Sequence, residues 1–275
     1  MPGILYLVAT PIGNLEDITY RAVRTLKEAD LIACEDTRQT RKLLDKYGIR
    51  RPTVSYHEHN EEARSAELIR KLQEGASVAL VSDSGMPLVS DPGYRLVRKA
   101  VELGVKVTPV PGPSALITAL AASGLATNAF HFGGFLPAKA GQRARALKAL
   151  ENEPATLIFY EAPHRVLETL EEIEKTLGQR LVVIARELTK IHEEFLRGSP
   201  GELRTILNSR EVIKGEITLL IGKAEARAPE ETPLEEAVES HMRSGMSRME
   251  AIKAVAHRRG LSKRQVYQQL LPPDR

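Results

Sequence analysis

The sequence predicts an α/β protein: two tandem αβα domains followed by a small helical tail of helix-turn-helix outline. Three observations lead there. Short apolar, β-branched runs alternate with amphipathic helical stretches along residues 4–222, as in largely parallel sheets covered by helices on both faces. Those runs repeatedly stop in loops dense in Gly, Pro, Ser and Asp. Beyond residue 223 the strand signal ends, and apolar residues recur at helical spacing among basic ones. The implied divisions are 1–120, 121–225 and 226–275, the last being a linker and a basic tail.

Residues 4–9 read as a first buried strand, followed by the turn Thr10-Pro11-Ile12-Gly13-Asn14. Ala22, Val23, Leu26 and Ala29 then share one face of a helix. Residues 31–34 form a second strand that ends in Glu35-Asp36-Thr37-Arg38, and a helix through Leu43, Leu44 and Tyr47 is stopped by Gly48. A third strand covers 54–56, and Asn60 is placed to cap a helix over 61–72 with two acids in its first turn. Strands at 78–82 and 105–110 flank a helix over 94–103, and an apolar helix over 115–122 closes the first half.

The second half offers strands at 129–133, 156–160, 181–185, 192–196 and 217–222. The strand at 192–196 follows its predecessor too closely for a helical crossover, so this sheet is predicted to be mixed. Ser199-Pro200-Gly201-Glu202 fits a capping box with Pro at the first helical position. Residues 224–233 are acidic, proline-bearing and aperiodic, which suggests a linker. In the tail, Met249, Ile252 and Ala256, then Val266 and Leu270, fall at helical spacing around Arg259-Gly260-Leu261-Ser262. Arg248, Lys253, Arg258, Arg259, Lys263 and Arg264 face only Glu250 in charge there, which points to nucleic-acid contact.

Bulk properties narrow the function. Apolar residues make up 42% and charged residues 27%, as in globular proteins. With no Trp and few other aromatics, a platform stacking several bases is excluded. A net charge of +3 permits a polyanionic partner without requiring one. Cys34 is the only cysteine, so neither an intramolecular disulfide nor a cysteine zinc cluster is available. There is no G-x-G-x-x-G after the first strand and no G-x-x-x-x-G-K-[ST], which removes the dinucleotide-binding Rossmann unit and the P-loop NTPases. His57 and His59 share a strand face, but no third ligand stands near them; they read as exposed, and no metal is expected. No signal sequence and no run of membrane-spanning length is found, so a cytoplasmic protein without a membrane partner is expected.

The loop from Ser82 to Gly93 dominates the functional reading. A plain strand-to-helix connection needs only about two to six residues, and ligands of open α/β sheets sit at the carboxyl ends of strands. Similar loops end other strands: Glu35 to Arg38, Pro111 to Ser114, Glu161 to Arg165 and Arg186 to Lys190. Carboxylates, Arg, Lys and His thereby collect on one side of the predicted sheets.

Val81-Ser-Asp-Ser-Gly85-Met-Pro-Leu-Val-Ser-Asp-Pro-Gly93 and Val110-Pro-Gly-Pro-Ser114-Ala115 resemble two motifs of the tetrapyrrole methylase superfamily, the class III methyltransferases. Further motifs are similar to its branch that methylates the 2′-hydroxyl of a cytidine in small-subunit ribosomal RNA. These are Ala9-Thr-Pro-Ile-Gly-Asn-Leu-Glu-Asp17-Ile, Cys34-Glu-Asp-Thr-Arg38, Ser55-Tyr-His-Glu-His-Asn60, Phe159-Tyr-Glu-Ala-Pro-His-Arg165, Ala185-Arg-Glu-Leu-Thr-Lys190 and Lys214-Gly-Glu216.

That resemblance implies S-adenosylmethionine in a cleft between the two domains, a homodimer, and an acceptor cytidine in the decoding region of 16S rRNA, within the assembled subunit. It assigns to the cofactor Pro11, Asp83, Ser84, Gly85, Met86, Val89, Ser114 and Ala115 from the first domain. From the second it assigns Tyr160, Glu161, Ala185, Gly215, Glu216 and Ile217. A ribose hydroxyl must lose its proton late in the reaction. Glu35, Asp36, Glu161 and Glu187 are open as acceptors, as is Lys190 if burial leaves it neutral, the loops of Glu35-Asp36 and Glu187-Lys190 being favoured. On that reading Asp36→Ala abolishes methylation and leaves cofactor affinity nearly intact. Arg38, Arg165 or Lys190 would steer phosphate, with Arg258, Arg259, Lys263 and Arg264 of the tail also on RNA. Two alternatives stand beside it: a methylase of a tetrapyrrole or other small molecule, which has no use for a basic tail, and a non-catalytic ribosome-assembly module, which has no use for the polar loops.

Overall fold

A computed structural model of the chain describes residues 3–224, 233–259 and 261–270, the side chains of His257 and Arg258 excepted. The first sheet contains β1 (Ile4–Val8), β2 (Leu31–Cys34), β3 (Thr53–Ser55), β4 (Val78–Val81) and β5 (Lys106–Val110), all parallel, in the order β3-β2-β4-β1-β5. Helices α1 (Tyr20–Glu28) and α2 (Thr37–Lys46) cover one face, and α3 (Glu61–Gln73) and α4 (Tyr94–Glu102) the other. Strand β4 shows why its sequence is an unbroken apolar run. Val78 and Leu80 enter the core under α3 and α4, while Ala79 and Val81 enter the core under α1 and α2.

The strand order sets β2, β4, β1 and β5 side by side, so the loops at their carboxyl ends are neighbours despite lying far apart in sequence. Thr10 and Gly85 pair across the loops that follow β1 and β4, with N–H···O distances of 2.9 and 3.1 Å.

The second sheet contains β6 (Phe130–Phe135), β7 (Thr156–Glu161), β8 (Val182–Arg186), β9 (Glu194–Gly198) and β10 (Ile217–Ile221), in the order β6-β7-β10-β8-β9. Only β6 and β7 run parallel; the sheet is mixed, as the short spacing before β9 predicts. Its helices are α5 (Ala115–Ser123) on one face, and α6 (Ala140–Ala149), α7 (Val166–Leu177) and α8 (Pro200–Asn208) on the other. The capping box of α8 forms in full between Ser199 and Glu202.

Helix α5 departs from its expected place. It follows β5, yet Leu116, Ala119 and Leu120 pack on Ile158, Val183 and Leu220 of the second sheet, where Ile12 of the first half joins them. The two sheets therefore form one compact unit, Met1–Ala224, and a boundary after residue 120 falls inside α5. Asn60 also differs from expectation. Its side chain caps nothing; it accepts from the His57 N–H at 2.9 Å and donates to the Ser55 carbonyl at 3.2 Å.

A second compact unit holds α9 (Leu234–Arg243), α10 (Arg248–Arg259) and α11 (Lys263–Gln269) around Val238, Ala251, Ile252, Val255, Ala256 and Val266. It is a three-helix cluster rather than a helical pair. Met249, expected on the apolar face, is 61% exposed, and Ala251 and Val255 take its place. Ser262 caps α11 with Gln265 as its partner. Residues 225–232 of the linker predicted over 224–233, and Gly260 of the predicted turn, lie outside the described residues. Among those residues no helix is long and apolar enough to cross a membrane.

Candidate functional site

A cavity of about 310 Å³ opens where the carboxyl-end loops of the first sheet meet the second sheet. Ser84, Gly85, Met86 and Val89 line it from the loop after β4, and Ser114 and Ala115 from the start of α5. Tyr160, Glu161, Ala185, Gly215, Glu216 and Ile217 line it from the other half. Twelve of the fourteen residues assigned by resemblance to a cofactor thus face one space. Pro11 and Asp83 do not; they line a neighbouring cavity. Sequence reasoning passed over Ile12, Ser90, Asp91, Phe135, Leu188 and Thr218, all of which line the first cavity. Ser90 and Asp91 sat in the dominant motif, whereas Ile12 and Leu188 carried only the signal of ordinary apolar residues.

Two rims of this region are held in costly backbone conformations. Among the described residues, the non-glycine positions with positive φ are Leu88 (73°), Ser90 (66°), Glu187 (52°) and Thr189 (66°). Such residues typically cost about 1–3 kcal/mol each and persist where surrounding structure enforces them. The enforcing contacts at the second rim are visible. Glu187 Oε1 accepts from Lys190 Nζ and from the Glu216 N–H, both at 2.9 Å, and the Glu187 N–H donates to the Glu216 carbonyl at 2.9 Å. Gly215 has φ +97°, and a Cβ there would come within 2.4 Å of the Glu187 side chain.

Charge divides the site in two. Burial, then repulsion from Glu35 and Asp83, pushes the Asp91 carboxyl up to about 6. Burial likewise raises Glu35, with repulsion from Asp83 and Glu58 adding to it, and raises Asp83, with repulsion from Asp36 adding to it. Asp36 is different. Its side chain accepts from the Arg38 N–H at 2.8 Å, caps α2, and pairs with the Arg38 guanidinium at 2.9 Å, which holds its carboxyl down to about 2. A carboxylate that acidic is a poor proton acceptor at neutral pH. Asp36 thus serves as the cap of α2.

The other expected acceptors are also committed. The hydrogen bond from Lys190 holds Glu187 below its ordinary range. Burial alone would pull Lys190 down, but its bonds to Glu187 and Glu216 outweigh that and keep it above its usual range; it is an ammonium, not a neutral base. Glu161 is buried, accepting from Thr169 Oγ1 at 2.7 Å, from the Ala162 N–H at 2.7 Å and from Arg165. Glu35 lines neither cavity.

Arg165, expected to steer phosphate, turns inward instead: its side chain is 15% exposed, pairs with Glu161 and donates to the Leu136 carbonyl at 3.1 Å. Arg38 is 89% exposed but chelated by Asp36. In the tail Lys263 and Arg264 are exposed, Arg259 is half-buried, and the Arg258 side chain lies outside the described residues. His57 is half-buried rather than exposed, and among the described residues no group of His, Cys, Asp and Glu could hold a metal ion.

The neighbouring cavity, about 400 Å³, shares Ile12, Ser84 and Glu216 with the first. Its remaining walls are more polar, with Thr10, Gln39, Lys42, Ser82, Asp83 and Lys190.

The sequence pattern of the tetrapyrrole (corrin/porphyrin) methylases matches residues 4–204. A ribosomal RNA small subunit methyltransferase I of Halalkalibacterium halodurans is 53% identical over 96% of this chain and 93% of its own length. The protein of that name from Mesorhizobium japonicum is 51% identical over 97% and 91%. In fold the chain is similar to the uroporphyrin-III C-methyltransferase of Thermus thermophilus complexed with S-adenosylhomocysteine. The TM-score is 0.56 at 24% identity, covering 81% of this chain and 98% of that one.

Proposed function

The chain belongs to the tetrapyrrole methylases, in their ribosomal RNA small subunit methyltransferase I branch, and from that premise we propose that it methylates the 2′-hydroxyl of a cytidine in small-subunit rRNA with S-adenosylmethionine as donor. One observation supports this best: a largely apolar cavity carrying the half-buried Asp91 adjoins a polar one across Ile12, Ser84 and Glu216. When bound, the cofactor supplies an electrophilic methyl on a cationic sulfur, whose C–S bond breaks as the O–CH₃ bond forms.

The residues present fit that cofactor. At about 310 Å³ the first cavity is of the size that takes small-molecule ligands. Ala185, Leu188 and Ile217 offer an apolar slot for a flat ring, and Asp91 offers charge to the cationic part. The acceptor ribose belongs at the shared wall, since reacting atoms must be held about 3–3.5 Å apart. Lys190 Nζ, 3.2 Å from Glu216 Oε2, stands there as a charged donor to the attacking oxygen. Glu216, 72% exposed and common to both cavities, takes the proton late and passes it to water. The exposed Lys263 and Arg264, a homodimer, and the decoding region of the assembled subunit as target belong to the same proposal.

Labelled methyl donor offered in parallel to small subunits, naked rRNA and a tetrapyrrole tests this. Label on the 2′-oxygen of one cytidine of the subunit is expected; label in the tetrapyrrole alone overturns the acceptor. Lys190→Ala is expected to lower kcat by about 100-fold, the typical effect of removing one positioned donor. Single-turnover rates check it beside cofactor affinity, which is expected to stay within threefold of wild type, about 0.6 kcal/mol.

A further inference from the structure

The second cavity has a chemistry of its own. Asp83 stands on its wall with one carboxylate oxygen occupied: Oδ1 accepts from the Asp36 N–H at 3.1 Å. No residue donates to Oδ2 among the described ones. Gln39 stands on the rim, its carbonyl oxygen Oε1 taken by Lys42 Nζ at 2.8 Å, which leaves the amide NH₂ as a donor. One open carboxylate acceptor and one open amide donor thus share a space of about 400 Å³.

Cytosine presents an N4 amino donor beside the N3 and O2 acceptors. Uracil presents the reverse at the first two positions, an O4 acceptor beside an N3–H donor. A carboxylate accepting from N4 is the ordinary way a protein selects cytosine. An amide NH₂ donating to N3 completes the match, since uracil carries a hydrogen there. Uracil would set its O4 against the Asp83 carboxylate, two acceptors facing one another.

How RNA would reach this space is also visible. The face of α2 beside the rim exposes Arg38, Arg41, Lys42 and Lys46, with only Asp45 of opposite sign exposed among them. Phosphates flanking an unstacked nucleotide would run along such a face. A nucleotide taken into such a space leaves its stack, as in enzymes that extrude the nucleotide they act on. The cavity beside Glu58 and Arg95 serves less well, as it shares no residue with the first cavity.

We infer that the second cavity takes one unstacked cytidine of the rRNA, and that Asp83 and Gln39 distinguish it from uridine. This rests on the rRNA methylation proposed above and gives that site its base specificity. The resemblance had placed Asp83 with the cofactor; its position on the other side of the shared wall gives it to the acceptor.

The test uses the full-length protein and two sets of small subunits, one with cytidine and one with uridine at the nucleotide that accepts labelled methyl. Wild type is expected to prefer cytidine at least 50-fold in kcat/KM. Asp83→Asn should lower the rate on cytidine by between about 5- and 100-fold and shrink the preference below tenfold, because an Asn amide also donates to O4. Gln39→Ala, at an exposed position, should shrink the preference in the same direction. S-adenosylmethionine affinity, measured by calorimetry, should stay within threefold of wild type in both variants. An unchanged cytidine preference in both variants, or Asp83→Asn losing cofactor affinity instead, overturns the inference while the methylation reading stands. No methylation of either subunit by wild type fails the reading itself.

Discussion

Arg165→Ala is expected to melt roughly 10 °C below wild type, the largest loss of stability of any single change to the site. Glu161 has no exposed side-chain surface, and Arg165 is its only cationic partner among the described residues. Breaking a buried pair from one side strands the remaining charge, which costs about 3–5 kcal/mol. In a unit of this size each kcal/mol moves the melting point by about 2–4 °C. Thr169 and the Ala162 N–H still donate to the carboxylate, but they offer no compensating charge. Glu161→Gln keeps an oxygen acceptor for Thr169 and removes the charge, so the double variant Glu161→Gln/Arg165→Met should recover at least half of the loss. Melting curves of the two single variants and the double measure this coupling directly. An Arg165 that steered phosphate would behave otherwise, with melting unchanged and the KM for RNA raised. That outcome would restore the role its position in the motif suggested.

Arg165 shows where the sequence stops speaking. Its residue type and its place at a strand end were legible, but which of two anions it meets depends on Glu161 four residues earlier and on the carbonyl of Leu136 from another strand end. The same limit governs α5. An apolar helix announces burial without naming its partner, and the sheet that covers it is built from residues downstream of it. Lys190 was visible as a candidate base, and its charge state was not, because that is decided by Glu216 as well as by its neighbour Glu187. Local rules did better. Strand β4 read as an apolar strand because alternating positions serve two cores, and the capping box of Ser199 followed from spacing alone. Of the cofactor assignments, the loops converge because the strand order makes β4, β1 and β5 neighbours. Pro11 and Asp83 line the neighbouring cavity, which shares Ile12, Ser84 and Glu216 with the first, a division finer than any motif resolves.

Asp91→Asn should stabilise the protein and weaken its hold on S-adenosylmethionine together. The folded chain keeps the Asp91 proton to about pH 6, against 3.8 as the ordinary value. Between roughly pH 4 and pH 6, therefore, the native state binds a proton that the unfolded chain has released, and stability falls as pH rises through that window. Above it the difference is constant, and two pKa units amount to about 2–3 kcal/mol. Asn carries no such charge, so at pH 7.5 the variant should melt about 5 °C above wild type, with the gap closing toward pH 4. A protein retains a group of that kind where function needs it. A cation brought beside Asp91 recovers the energy as a charge-assisted hydrogen bond of about 1.5–3 kcal/mol, or between 10- and 100-fold in affinity. Wild-type affinity for S-adenosylmethionine should then decline as pH drops below about 6 and Asp91 takes its proton. The Asn variant should bind more weakly at pH 7.5 and show no such decline. Calorimetric titration of both proteins from pH 5 to 8 separates the two effects. Tight, pH-independent binding by the variant would leave the melting result standing and take Asp91 away from the cofactor.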